Sequence, residues 1–252
     1  MRKQAINPSQ LYHPSHIVGS PFRTTITAGA ADYPYSDIIE IEGQNITLAV
    51  AGERTSFLLQ ARDSSGNARL FSGDASDEVQ WAEEHFTVDI VGDQGSISGD
   101  ITYLESGQHR VDYTVLKAGT YRVHVKTGGT DVYCGLGEEN KCSPFSLTVL
   151  PGATLASNCE AESSFDPVDY LVEARAGEIG TVYLQSKDAF GNNRISGGDE
   201  VIALFKSASN PDTQYRGNVK DRYDGSYQIT YSIPVAGSYL VSITIGGEAV
   251  RY

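Results

Sequence analysis

The residues that could do chemistry are few, and their spacing does not serve it. His13 and His16 form one H-x-x-H pair, but no Cys or third His lies at ligand spacing and the segment has no helical pattern. A solvated tail accounts for both. Asp74, Asp221 and Asp224 carry oxygens of the kind Ca²⁺ takes, yet that ion needs about 6–8 of them in a small space. No D-x-D-x-D-G series occurs, so turn chemistry explains these carboxylates better. No G-x-S-x-G, H-E-x-x-H or P-loop is present. Cys134 and Cys142 bracket GLGEENK, which reads as a hairpin tip. They could face each other as a disulfide or stay reduced at the loop base, and Cys159 has no evident partner. Asn45-Ile46-Thr47 fits a glycosylation acceptor, which matters only in a secreted chain. The expectation is a non-enzymatic chain with no cofactor and no metal.

The elements that would hold these residues are strands. Val, Ile and Thr total 53 against 16 for Leu plus Met, and branched Cβ atoms suit a pleated strand better than a helix. At 252 residues the chain makes one or two domains. A net charge of -13 argues against nucleic acid and against anionic membrane as partners. No apolar run is long enough to cross a bilayer as a helix, and residues 1–20 show no signal-peptide h-region.

The chain repeats itself. RDSSGN (62–67) matches KDAFGN (187–192), and AGE at Ala51 matches AGE at Ala176, both at a shift of 125. SGQHRVDYTVLKAGTYRVHVKTGG (106–129) matches DGSYQITYSIPVAGSYLVSITIGG (224–247) at 118, and GSPFRTTITAGA (19–30) matches CSPFSLTVLPGA (142–153) at 123. The change from 125 to 118 predicts a length difference in one loop, around Asp77–His85, a stretch with room for one helical turn at most. The phase predicts the tail of one repeat over residues 1–43 (last strand about 17–30, then a linker). A complete repeat over 44–152 and a second over 153–252 without its last strand follow, an excerpt of a longer array.

Within each repeat the pattern has period two. Val111, Tyr113 and Val115 alternate with Arg110, Asp112 and Thr114, and Ile229, Tyr231 and Ile233 alternate with Gln228, Thr230 and Ser232. About seven short strands per repeat predict an all-β fold of tandem immunoglobulin-like antiparallel sandwiches. Tyr113, Tyr121, Val123, Ile229, Tyr231 and Tyr239 are the expected core. The AG-[TS]-Y steps place Tyr121 and Tyr239 where a tyrosine corner would bond back to the preceding turn. Asp63 and Asp188 are expected to accept from nearby backbone amides.

With D-x-x-GN at Asp63 and Asp188, GGD at Gly197, DG-S-Y at Asp224, the AG-x-Y-x-V steps and SPF-x-x-x-V-x-PG at Ser143, the sequence resembles the filamin-type (filamin/ABP280) immunoglobulin-like repeat. Repeat one departs at SGD (Ser72–Asp74), at ESGQH (Glu105–His109) and at Cys142, where a Gly normally precedes SPF. The resemblance implies a scaffold that accepts an extended partner peptide by β-augmentation beside an exposed strand, with side-chain pockets giving specificity. By position the edge lies between the third and fourth strands, about 86–91 and 96–103 in repeat one, and 200–205 and 215–221 in repeat two. Its expected residues are Phe86, Val88, Ile97 and Ile101, and Val201, Ala203, Phe205, Arg216 and Val219. The alternative is that charge, with Arg216, Lys220, Asp221 and Arg222 nearby, keeps this edge unsociable. The resemblance also implies cytoplasm and cytoskeleton, with actin bound through other parts of a full-length protein. Filamin-like repeats of gamete-surface proteins give the alternative, an extracellular adhesion array.

Overall fold

The structure is a computed structural model that describes residues 23–29, 37–39, 46–69, 86–104, 107–132, 143–163 and 169–251. Repeat one begins ahead of the expected boundary at 44, since β1 (Asp37–Ile39) pairs with β3 (Arg54–Gln60); β2 (Leu48–Val50), β4 (Phe86–Gly92) and β5 (Gly95–Ser98) also belong to it. It continues with β6 (Asp100–Tyr103), β7 (Gln108–Thr114), β8 (Gly119–Thr127), β9 (Thr130–Asp131) and β10 (Phe145–Leu150). These build two sheets, ordered β1-β3-β7-β6 and β2-β10-β8-β4-β5, with β9 on the end of β8. Repeat two supplies β11 (Glu160–Ser163), β12 (Gly180–Gln185), β13 (Val201–Ser207) and β14 (Gln214–Arg216). β15 (Asn218–Asp221), β16 (Ser226–Tyr231), β17 (Tyr239–Ile245) and β18 (Glu248–Ala249) complete it. Its sheets run β11-β12-β16-β15 and β14-β13-β17-β18. No α-helix occurs among the described residues. The all-β tandem-sandwich expectation therefore holds.

Period-two alternation becomes two separate cores. Phe57, Leu59, Ile90, Val111, Val123, Val125 and Leu147 are fully buried in the first, and Val182, Leu184, Ala203, Tyr227 and Ile229 in the second. Tyr113, Tyr121, Val123, Ile229 and Tyr231 are buried as expected. Tyr239 is only half-buried. In repeat one β10 lies against β8 and sets Leu147 opposite Tyr121, whereas β17 has no such neighbour among the described residues. Both tyrosine corners form: the hydroxyl of Tyr121 donates to the Lys117 carbonyl at 2.8 Å and that of Tyr239 to Val235 at 2.9 Å. Asp112 faces outward from β7 yet is buried beneath Arg54 and Arg110, whose guanidinium groups approach it at 2.8 and 2.9 Å. Burial opposes its charge, but the Ser56 hydroxyl and the two arginines hold its carboxyl below the usual range.

The ladders correct the expected single length change. Gly99 donates to the Val88 carbonyl and Gly217 to that of Ala203, so the third strands match at a shift of 115, not 118. Repeat one is therefore longer before β4 and three residues shorter in the β4–β5 turn. Two opposite changes had summed to one apparent difference. Asp77–His85 lie outside the described residues, and Phe86 opens β4.

The D-x-x-GN turn of repeat two also joins the repeats. Oδ1 of Asp188 accepts the N–H of Phe190 and of Asn192, both at 2.9 Å, while Oδ2 accepts the Asn192 amide at 2.8 Å and the N–H of Gly152 at 2.9 Å. Burial opposes the charge, and these donors outweigh it, keeping the carboxyl below its ordinary range. Asn192 then reaches back to repeat one, donating to the Leu116 carbonyl at 2.8 Å and accepting from Ala118 at 3.1 Å. Phe190 packs against the core of repeat one, over Gly52, where any Cβ would lie 2.1 Å from the ring. Gly52 also has φ +82, so glycine is required twice over.

Candidate functional site

The fourth strand of each sandwich belongs to both sheets. β5 pairs with β4 and then the chain crosses at Gly99 into β6, which pairs with β7. Repeat two does the same at Gly217, between β14 on β13 and β15 on β16. Both crossings are tight, and the one at Gly99 has no room for a side chain unless its neighbours move. A Cβ on Gly99 would lie 2.7 Å from Val111, and one on Gly217 would lie 3.0 Å from Ile229 and 3.1 Å from Ala203. Sequence reasoning missed these glycines, although a Gly inside a strand pattern signals close backbone approach.

Because the fourth strand departs, the start of the third strand loses its neighbour. β13 pairs with β14 only from Leu204 onward, and β4 with β5 only from Asp89 onward. Among the described residues no strand pairs with Val201–Ile202 or Phe86–Thr87 on that side. Peptide direction alternates along a strand, so Val201 turns its N–H and C=O the same way as Ala203, whose carbonyl Gly217 already engages. A short open edge thus lies at the mouth of a cleft between the diverging strands.

The nine expected edge residues sort by depth. Phe86, Val88, Ala203 and Phe205 point inward and are buried in the cores, so they support the sheet beneath the edge. Ile97, Ile101, Val201 and Val219 are half-buried and packed on the cores, which puts apolar surface within a ligand's reach. Arg216 is exposed on β14, Lys220 on β15 and Arg222 just past its end. Arg222 sits 5.9 Å from the Tyr183 ring centroid. Asp221 is occupied, since its carboxylate accepts from Gly198 at 2.8 Å and Tyr223 at 2.7 Å.

That bond explains the GGD motif. The Gly197–Gly198 backbone lies against Asp221, so closely that a Cβ on Gly197 would sit 2.1 Å from the carboxylate. The next residue, Asp199, donates its N–H to the Tyr227 hydroxyl at 2.8 Å and accepts from Ser186 at 2.8 Å. Burial drives the Tyr227 hydroxyl up to about 12, so it stays protonated. The far end of the repeat-two cleft is thereby fixed. Ser72–Asp74, Cys134, Cys142, Asn45, His13 and His16 lie outside the described residues. Cys159 is buried, its thiol donating to the Leu155 carbonyl at 3.2 Å. Asp224 caps its own turn through Ser226. Among the described residues no cluster of His, Cys, Asp and Glu could hold a metal ion.

Comparison with known proteins agrees with this architecture. FdeC, an Escherichia coli adhesin, shares the fold with a TM-score of 0.55 at 20% identity, over 89% of this chain and 63% of its own. The bacterial integrin-binding protein invasin gives 0.50 at 13% identity, over 88% of this chain and 39% of its own. Filamin-C of Rattus norvegicus is 25% identical over 154 residues, 58% of this chain, and Filamin-C of Mus musculus matches equally. The chain spans only 5% of those two proteins. The Filamin/ABP280 repeat model matches twice, at residues 36–145 and 154–252, once on each sandwich. On that coverage the chain belongs to the Filamin/ABP280 repeat family.

Proposed function

We propose that this chain is a non-enzymatic scaffold segment whose sandwiches bind extended segments of partner proteins by adding a strand at the third-strand edge. The observation that carries this is the sheet crossing at Gly99 and Gly217, which leaves Phe86–Thr87 and Val201–Ile202 without a neighbour on one side among the described residues. Unpaired edge groups provide affinity without sequence preference, and Val201 and Val219 provide apolar selectivity beside them. In repeat two, Arg216 and Lys220 are exposed on the two halves of the fourth strand, while Asp221 is engaged by backbone. Cationic side chains there, on a chain of net charge -13, favour a partner strand flanked by acidic residues.

The family supports a cytoskeletal setting, with actin reached through other parts of a longer protein. The second reading is a cell-surface adhesion array, favoured by the names of FdeC and invasin. A Cys134–Cys142 disulfide and a glycan on Asn45, read by mass spectrometry of the native protein, would select it.

The direct test selects extended dodecapeptides from a random display library and maps them by amide chemical shifts. Shifts should centre on Val201–Phe205 and Asn218–Asp221. Val201→Pro removes an outward N–H without touching the ladder to β17, and should abolish binding while preserving the fold. Selected peptides that bind Val201→Pro unchanged, with shifts elsewhere, would exclude the cleft.

A further inference from the structure

The two clefts differ in the residue that supports their mouths. In repeat one the open edge begins at Phe86, and the departing fourth strand ends at Tyr103. Both pack on the imidazole of His109, which lies edge-on to each ring, 5.2 Å from the Phe86 centroid and 5.4 Å from that of Tyr103. Phe86 belongs to one sheet and Tyr103 to the other, so this one ring ties together the two walls of the cleft. His109 is 3% exposed and stands opposite Leu59 of β3 and Tyr103 of β6. In repeat two its counterpart in the 118-residue match is Tyr227. That phenol is held by hydrogen bonds: it accepts the N–H of Asp199 at 2.8 Å and donates to the Asp199 carboxylate at 3.1 Å, two residues before Val201 opens the edge.

These two supports answer acid differently. An imidazole in water takes a proton in mild acid, and a phenol stays neutral throughout that range. In its seat His109 resists the proton. Burial strips its water, the charge of Arg69 repels a second cation, and the Gly107 carbonyl offsets them only in part, so the pKa falls to about 4. Arg69 is the charged group acting on the ring and Tyr103 the titratable one beside it, while Phe86 and Leu59 present apolar surface. A protonated ring is therefore stabilised by leaving its seat for water. Its departure takes away the packing beneath Phe86, the first residue of β4, which pairs with Thr127 at the very end of β8. The start of β4 then frays from β8, and the edge that a partner strand would extend is lost.

We propose that His109 makes the open edge of repeat one an acid-released docking site, which lets go of its partner strand in mild acid while the edge of repeat two keeps its own. This rests on the strand-addition reading of both edges, but the opening of the edge itself needs no partner to be observed. The ratio of released to seated ring follows from the two proton affinities. With a released value near 6.5 and a seated one near 4, that ratio rises about 30-fold between about pH 7.5 and about pH 5. The direction is fixed by the lowered seated value: the seat is fully occupied above 6.5 and is lost as pH falls towards 4.

Native-state hydrogen exchange of the full chain, read by NMR at both pH values, tests this. Thr87 and Lys126 face each other at the start of β4. After correction for the intrinsic rate, their protection should fall about 30-fold on acidification, with no dependence on low urea, as local opening requires. Ile202 and Thr244, the matching pair of repeat two, should not follow. His109→Phe fills the seat without a titrating group, and His109→Tyr copies repeat two; each should remove the fall. Peptides that bind repeat one of a Val201→Pro chain should lose affinity at the lower pH and regain it on return, and should keep it throughout in Val201→Pro with His109→Phe. If no peptide binds repeat one, the strand-addition reading fails there, and exchange still decides the gate. Protection of Thr87 and Lys126 that holds at the lower pH, or that falls only with the urea dependence of global unfolding, overturns the proposal.

Discussion

Asp188→Asn removes one oxygen from a buried carboxylate that satisfies four donors. Whichever way the new amide turns, its NH₂ faces two of them: Gly152 and the Asn192 side chain, or Phe190 and the Asn192 main chain. Each buried donor left unpaired costs about 1–3 kcal/mol, so two cost about 2–6 kcal/mol. Against about 5–15 kcal/mol for a typical domain, that is a large share. At about 4–8 °C per kcal/mol for a sandwich of this size, a mid-range loss lowers the repeat-two unfolding temperature by about 15 °C or more. Differential scanning calorimetry, with urea titration followed by near-UV circular dichroism, reads both quantities. Acid adds a second arm. The folded carboxyl lies below the ordinary 3.8, so its contribution is fully present above that value and is lost as pH falls through the folded one. The variant should lack this part of the acid sensitivity. An Asp188→Asn chain within about 0.5 kcal/mol of the parent would refute the assignment of this carboxylate as the hub of turn and junction.

His109 is buried between Phe86 and Tyr103, and burial, aided by Arg69 and opposed by the Gly107 carbonyl, takes its pKa down to about 4. The unfolded ring binds a proton first, so repeat one should lose up to about 3 kcal/mol as pH falls from 6.5 to 4, and chemical denaturation across that range should show the slope. Gly99→Ala drives a Cβ to 2.7 Å from Val111 and should cost about 1–3 kcal/mol, read as a lower urea midpoint for repeat one. Phe190→Ala lies in repeat two but empties a seat on repeat one, so calorimetry should show the two unfolding transitions separating. Tyr121→Phe should cost about 1 kcal/mol at its buried corner, and Tyr239→Phe measurably less at its half-exposed one.

Sandwich architecture was legible because half-buried strands write their period into the chain, as Val111, Tyr113 and Val115 do. The corners at Tyr121 and Tyr239 and the acceptor role of Asp63 and Asp188 were legible too, since each is a local contact within a few residues. The cleft was legible only as a stretch of sequence. Val88, Val201 and Phe205 follow the alternation of the third strand, but Ile97 and Ile101 lie on either side of the Gly99 crossing, and what they face depends on where the fourth strand changes sheets. Tyr239 illustrates the other limit. Its sequence environment copies that of Tyr121, but burial comes from a neighbouring strand that local pattern does not contain.

The two D-x-x-GN turns show how a structural motif gains a second role. Both fold alike: Asp63 accepts from Ser65 and Asn67, and Asp188 from Phe190 and Asn192, all at 2.9 Å. Both also hold the glycine that ends the preceding segment. They differ in what faces outward. Asn67 points its amide at both oxygens of Asp63, while Asn192 gives one bond to Asp188 and another to Leu116 of repeat one. Ser65 stands where Phe190 supplies the ring that covers Gly52. The turn makes the same bonds with Ser65 in that place as with Phe190, so the ring contact across the junction is an addition to the turn and not a condition for it. Coupling between repeats can therefore be tuned by the residue after the Asp-x pair, without cost to the sandwich that carries it.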